Sequence, residues 1–315
     1  MFPGSHRCGT TRRPSETSQP SPLSTVLSLV DREHGVRIHH LNCGCMCPFG
    51  GALFDGYSAG ATAHLVCHCL LIETASAGLV LVDTGFGMQD VVEPRQRLSD
   101  FFISFNNIRF SHRYTAIQQV LDLGFDPADV RHIILTHLDF DHAGGLEDFP
   151  QATIHVLQTE MEAARAARGF LGARRYRHRQ WDDVRDWAFY QAHGEAWYGF
   201  EAVRQLSGLR PEILMLPLAG HTPGHAGVAI DTGAGWLLHA GDAYFYHGEV
   251  GQPHRDCPPG LRFYQTMMEV DRRERLRNQR RLRDLSLSYA DQVTLFCSHD
   301  ATDLQRMQRR RPSRV

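Results

Sequence analysis

The sequence predicts an α/β fold of two mixed β-sheets covered on their outer faces by helices. Strand and helix patterns alternate toward both ends of the chain, and strands close enough to form hairpins lie between them. Several strands read as continuous apolar runs, which call for cover on both faces. Hydrophobic residues at 42% and charged residues at 22% are the proportions of an ordinary soluble globular protein with a sizeable core. The 315 residues exceed the roughly 200–250 that a single α/β unit often reaches, so one large domain with tails is expected.

Taken in order, residues 10–24 (TTRRPSETSQPSPLS) are poor in apolar side chains and rich in Pro and Ser, and cannot bury enough surface to offset the entropy of ordering. A disordered tail is expected over 1–33, one domain over 34–305 and a basic tail over 306–315. VRIHHLNCG from Val36 and AHLVCHCLLIE from Ala63 read as strands, and GLVLVDTGFG from Gly78 reads as a buried strand ending in a Gly-rich turn. Their closeness implies a hairpin. Ile117, Val120, Leu121 and Leu123, closed by Gly124, have helical spacing and a stop signal. VRHIILTH from Val130 and TIHVL from Thr153 are strands, and TEMEAARAARGFL is a helix with Thr159 as its N-cap. EILMLPLAG, GVAIDT and WLLHAGD are short strands, RRERLRNQRRLRDLSL is a helix and VTLFCSH a last buried strand. Residues 165–200 hold three of the four tryptophans on weak periodicity, which suggests an insertion or lid over the functional site.

Composition excludes several roles. Lys plus Arg at 33 against Asp plus Glu at 35 gives a net charge of −2, no field for a polyanion, so nucleic acid is not expected as a partner. The arginine-rich helix near the C-terminus carries Glu274, Asp284 and leucines at Leu276, Leu282 and Leu285, the pattern of an amphipathic surface helix with a solvated face. No stretch is long and apolar enough to span a bilayer, so no membrane partner is expected. The eight cysteines show no disulfide framework, which fits a reducing, cytoplasmic setting. Cys43, Cys45 and Cys47 lack the spacing of a zinc knuckle and read as idle thiols, and Cys67 and Cys69 as small core residues on one strand face.

Histidine, at 19 residues, is the outlier. LTHLDFDHAGG concentrates His137, Asp139, Asp141 and His142 where an apolar strand ends. On extended backbone His137 and Asp139 project to the same side and can share one ion. Asp141 and His142 point apart from that pair and can serve a second, while Gly144 and Gly145 let the chain turn behind them.

This motif resembles the H-x-H-x-D-H signature of the metallo-β-lactamase superfamily. The likeness extends, in order, through LVLVDTGFG at 79–87, GHTPGH at 220–225, HAGDA at 239–243 and FCSHD at 296–300. It implies an αββα sandwich with two divalent metal ions at one edge. The resemblance assigns His137, Asp139 and His221 to the first ion, Asp141, His142 and His299 to the second, and Asp242 as the bridge. His225 would orient a ligand and Asp83 would support the ligands by hydrogen bonding. His239 reads as a satisfied core histidine. Asp139 stands where the family usually has histidine; the added carboxylate shifts the expected preference from zinc toward iron or manganese.

The implied activity is attack of a metal-bound bridging hydroxide on a small carbonyl substrate. A lactone or ester is expected, because GHTPGH and FCSHD look most like the lactonase branch. Asp141 is expected to handle the proton, and Tyr244 or Tyr246 to steady the oxyanion, although the position where that branch keeps its tyrosine is Phe245 here. The expected partner is a small molecule, with a homodimer as the assembly considered. Two other readings stand beside hydrolysis: a di-iron redox or oxygen-binding protein, and a non-catalytic metal-binding sensor.

Overall fold

In the computed structural model, residues 36–210 and 212–309 are described, the side chains of 201–205 excepted. The tail expected over 1–33 lies outside the described residues. The first sheet consists of β1 (Arg37–Met46), β2 (Leu65–Glu73), β3 (Leu79–Val82), β4 (Val130–Ile134), β5 (Thr153–Leu157) and β6 (Trp187–Tyr190), in that order across the sheet. The second contains β7 (Glu195–Trp197), β8 (Phe200–Gln205), β9 (Ile213–Pro217), β10 (Ala226–Asp231), β11 (Trp236–His239) and β12 (Val293–Phe296). The hairpins β1–β2, β2–β3, β8–β9, β9–β10 and β10–β11 are antiparallel, whereas β3 through β6 and the pair β11–β12 run parallel. Both sheets are mixed, as expected.

The longer helices are α1 (Ala116–Asp122), α2 (Gln158–Ala166), α3 (Gly169–Arg175), α4 (Pro259–Met268), α5 (Arg272–Ser288) and α6 (Ala301–Arg309). Between the sheets, Leu70, Ile72, Val80, Val82 and Ile134 of one meet Met215, Val228, Ile230 and Phe296 of the other in one buried cluster. Outside the first sheet, Ala116, Val120, Met161 and Ala164 of α1 and α2 pack onto Leu81, Ile133 and Ile154. Outside the second, Leu282 and Leu285 of α5 pack onto Leu216, Leu238 and Leu295. The layers are helix, sheet, sheet, helix, the order that two half-buried sheets need to cover all four faces.

Some expected details differ. Thr159 is not the N-cap of α2: β5 ends at Leu157 and the helix begins at once with Gln158, so Thr159 sits inside the first turn. Residues 165–200 supply α3 and the edge strand β6, which pairs parallel with β5, and Trp181 is buried in the core beneath the first sheet. Its strand is only four residues long and just Tyr190 of it is buried, too short a run to show a period. α6 runs across the boundary expected at 305, with Leu304 and Met307 buried. Within α5, Leu282 and Leu285 are buried as expected, but Arg275, Asn278 and Gln279 are buried beside them. Arg275 is satisfied by Glu269 at 2.6 Å and Gln265 at 3.1 Å. Among the described residues, no helix is long and apolar enough to cross a membrane.

Candidate metal centre

The segment that follows β4 folds into a compact loop because its backbone and the turn after β3 satisfy each other. His142 and Ala143 donate their N–H groups to the Asp139 carbonyl, at 3.0 and 3.2 Å. Thr84 donates both its backbone N–H and its hydroxyl to the His142 carbonyl, each at 2.9 Å, and Gly144 donates to the Gly85 carbonyl at 2.9 Å. A Cβ on Gly144 would lie 2.1 Å from Asp90 Oδ2 and 2.6 Å from the Gly85 oxygen, so only glycine lets the two turns approach. Asp83, at a φ of 56°, is turned to accept from Thr136 N–H, from the Thr136 hydroxyl and from His142 Nδ1, all at 2.8 Å.

Loops at the ends of other strands bring in the rest: His221 lies between β9 and β10, Asp242 after β11, and His299 after β12. His137 Nε2 is 3.3 Å from Asp139 Oδ2, and His221 Nε2 is 3.0 Å from the same oxygen. Asp242 Oδ2 lies 3.8 Å from His137 Nε2 and 3.4 Å from His221 Nε2. On the other side, Asp242 Oδ1 lies 3.4 Å from His142 Nε2 and 3.2 Å from His299 Nε2, with Asp141 Oδ2 3.6 Å from His299. Donors placed tetrahedrally about 2.0–2.1 Å from a zinc-sized ion stand about 3.3–3.4 Å apart, so both clusters have the spacing of a cation subsite. The buried His137 Nε2, His142 Nε2 and Asp242 Oδ1 make no hydrogen bond within the protein, a cost that an ion would remove. His137, His221 and Asp242 form one group able to hold an ion, and His142, Asp242 and His299 another.

The far nitrogens of three of these imidazoles are fixed from behind, whereas the buried Nδ1 of His221 has no hydrogen-bond partner. His142 Nδ1 faces Asp83, His137 Nδ1 faces the Thr136 hydroxyl at 2.9 Å, and His299 Nδ1 faces the Val66 carbonyl at 2.7 Å, which presents Nε2 to the centre. His225 has both nitrogens engaged: its Nδ1 meets the Leu218 carbonyl at 3.1 Å and its Nε2 accepts the Asp242 backbone N–H at 2.8 Å. His239 has both nitrogens engaged, at the His68 carbonyl and the Gly241 N–H, as a core histidine should.

Charge in the centre favours a cation. Burial works against a charged His142, yet Asp242, Asp83 and Asp141 raise its pKa well above the ordinary value; burial opposes charge on His299 too, and Asp242 raises its pKa above the ordinary value. Burial, reinforced by His142, lowers His137 to about 4. Burial raises Asp141, and Asp242 and Asp139 add to that. Burial alone would raise Asp139, but the Arg175 guanidinium and His137 hold it well below the carboxylate range.

Arg175 is the residue that sequence reasoning missed. It ends α3 and is buried, with Nε 2.7 Å from Asp139 Oδ1 and Nη2 2.6 Å from Oδ2. The extra negative charge expected from Asp139 is therefore offset on the spot. Nothing in GARRYRHR separates this arginine from Arg174, which stacks on Phe170 at the surface. Cys67, expected as plain core, also has its ligand atom within 4.8 Å of those of Asp141 and His299.

The tyrosines part company. Tyr244 is enclosed with Val250, Leu282 and Cys297 in the core of the second sheet. Tyr246 lines a small cavity with His299, Asp55, Tyr57 and Leu261. Phe245 wedges between them, its ring centroid 4.9 Å from that of His299 and 5.8 Å from that of His221. Tyr264, which no motif marked, is buried against Phe245; burial, then Asp141 and Asp242, raise its hydroxyl well above the tyrosine range.

Known proteins resemble this chain. The metallo-beta-lactamase superfamily matches residues 63–283. A probable metallo-hydrolase of Mycobacterium tuberculosis is 38% identical over 265 residues, which cover 84% of this chain and 80% of that protein. An N-acyl homoserine lactonase of Bacillus thuringiensis is 28% identical over 192 residues, 59% of this chain and 68% of that protein. Among solved structures, an N-acyl homoserine lactone hydrolase with N-hexanoyl-L-homoserine at its catalytic metal centre superimposes with a TM-score of 0.64 at 22% identity, covering 88% of this chain and 97% of that one. A probable metal-dependent hydrolase from Staphylococcus aureus gives 0.62 at 22% identity, over 85% and 90%. At such identities the structures speak for the fold, and the sequence match over most of the chain carries the family. Five separated loops that meet around a buried histidine and aspartate cluster, on a sandwich of this layering, are explained by common descent: the chain belongs to the metallo-beta-lactamase superfamily.

Proposed function

We propose that the protein is a dinuclear metal-dependent hydrolase that opens a small lactone or cleaves a related ester. The observation that carries this reading is the pair of donor clusters on either side of Asp242, with the buried His137 Nε2 and His142 Nε2 left without hydrogen bonds. His137, Asp139 and His221 would hold one ion, Asp141, His142 and His299 the other, with Asp242 shared. Two adjacent ions would acidify a water and polarise the substrate carbonyl. Water adds to the carbonyl carbon, the carbon–oxygen bond to the leaving alkoxide breaks, and the proton passes through Asp141 to that alkoxide. Tyr246, on the cavity wall beside His299, is the tyrosine of the expected pair that can meet a substrate oxygen. The lactone class is supported by the named activities of the Bacillus relative and of the structural neighbour.

The test is elemental analysis of the purified protein alongside a screen of lactones, esters, phosphoesters and β-lactams with zinc, manganese or iron supplied separately. Two ions per chain and lactone or ester turnover that falls by several orders of magnitude in Asp242→Ala are expected. Turnover unchanged in that variant would remove the mechanism, and two irons with visible absorption and no hydrolysis would replace it with a redox role.

A further inference from the structure

The buried arginine at the first subsite does something a packing residue would not. All its donor groups are engaged: Nε and Nη2 on the two oxygens of Asp139, Nη2 also 3.0 Å from His221 Nε2, and Nη1 on the Met268 carbonyl at 2.7 Å and the His221 carbonyl at 3.5 Å. Its partners belong to the loop after β4, the loop after β9 and the end of α4, so its position is determined from three directions. The nitrogen on Asp139 Oδ2 also faces His221 Nε2, and those two atoms, 3.0 Å apart, form one edge of the first cation subsite. A fixed positive charge therefore stands against the edge where an ion would bind.

We propose that Arg175 is a built-in counter-cation, so that Asp139 and Arg175 together act as one net-neutral ligand unit at the first subsite. The proposal rests on the dinuclear reading above and concerns how its first subsite is tuned. Two physical consequences follow with the same sign. A buried carboxylate that loses its guanidinium partner is strongly unfavourable, so Arg175 stabilises the metal-free fold. When the ion is present the guanidinium repels it, so Arg175 weakens its hold. Replacing Arg175 by an uncharged side chain should weaken the metal-free protein and tighten the first ion. A residue that merely positioned Asp139 would do the opposite to affinity.

The experiment measures ion affinity by competition with a chromophoric chelator, and thermal unfolding with and without zinc, for wild type, Arg175→Met and Arg175→Lys. For Arg175→Met, at least a tenfold tighter first ion, a lower Tm without metal and a larger rise in Tm on adding zinc are expected. Arg175→Lys, which keeps the charge, should stay within threefold of wild-type affinity. Equal or weaker binding in a folded Arg175→Met overturns the proposal. Should Arg175→Met fail to fold, the double variant Asp139→His with Arg175→Met decides: it is expected to fold and bind two ions, while Asp139→His alone, which strands a buried guanidinium beside imidazoles, should bind fewer. Equal metal content in those two proteins would likewise overturn it. Wild type that binds no second ion would instead fail the dinuclear reading.

Discussion

Asp83→Asn tests whether the centre is set up by proton direction as well as by shape. Asp83 accepts three hydrogen bonds at 2.8 Å, from Thr136 N–H, the Thr136 hydroxyl and His142 Nδ1. A carboxylate can only accept, so a neutral His142 carries its proton on Nδ1 and keeps its lone pair at Nε2. Because the Thr136 hydroxyl donates to Asp83, it accepts from His137 Nδ1 at 2.9 Å, and His137 also exposes a lone pair at Nε2. One carboxylate thus aligns a ligand in each subsite. In Asp83→Asn the amide oxygen still serves Thr136 N–H, while the amide nitrogen now donates toward Thr136 and His142. The Thr136 hydroxyl then turns toward His137, and both imidazoles are driven to the tautomer with Nε2 protonated. Loss of such a supporting partner typically costs about 10- to 100-fold in metal affinity, about 1.4–2.8 kcal/mol, and here each ion should lose that much. The backbone bond is kept, so the metal-free fold should lose less than about 1.5 kcal/mol. Chelator competition for both ions, with urea unfolding in the presence of chelator as the control, reads the two quantities separately. Unchanged affinity for both ions in a folded Asp83→Asn would refute the tautomer argument.

Two further predictions concern the supports of the site. Glu160 is buried and accepts the Leu138 N–H at 3.0 Å, the Thr222 hydroxyl at 2.6 Å and the Gly224 N–H at 3.1 Å. Glu160→Ala strands these donors between the loops of His137 and His221, and should cost roughly 3 kcal/mol or more in urea unfolding; a loss under about 1 kcal/mol would count against it. The His247 imidazole donates to Asp300 Oδ2 at 2.7 Å, and that hydrogen bond raises the pKa of His247 above its ordinary value. Its stabilising contribution is therefore complete below about pH 6.5 and lost as pH rises through the raised folded value, so the advantage of wild type over His247→Gln in urea unfolding should shrink between about pH 6 and pH 9. The side chain is 44% exposed, so solvent screening keeps the effect small; an advantage that grew with pH would contradict the pairing.

What the sequence made legible follows the range of the interactions. The loop that carries His137, Asp139, Asp141 and His142 is local, and its apolar strand and glycines announce both the turn and the side on which each donor points. His221, Asp242 and His299 could be matched only through a resemblance, because nothing local to 221, 242 or 299 records that those strand ends meet. The two histidines of GHTPGH differ in their surroundings: His225 has both nitrogens engaged, one by the backbone N–H of Asp242, whereas His221 Nε2 faces Asp139 Oδ2 at 3.0 Å. Arg175 and Tyr264 were invisible for the same reason that they matter. Each reaches the centre from an element whose own pattern is ordinary, Arg175 from a helix of seven residues that ends in two adjacent arginines and Tyr264 from the buried face of α4. The carboxylate added at Asp139 illustrates the limit: a motif read by itself omits a compensating charge that lies 36 residues away in the chain.

The two sides of Asp242 are consequently not equivalent. The first subsite has a guanidinium against the edge formed by Asp139 and His221, whereas the second has the Asp83 carboxylate directly behind His142 and the Val66 carbonyl behind His299. A cation is repelled from behind on one side and attracted on the other, and the same metal should be held more loosely where Arg175 stands. Asp242, with one oxygen toward each side, would couple them, since a cation held near one carboxylate oxygen would draw charge from the other. The departure from histidine at position 139 thus changes which ion is easily lost more than it changes the net charge of the centre, and step-wise loss of metal to a chelator, first ion before second, is its direct signature; simultaneous release of both would leave Arg175 without electrostatic consequence.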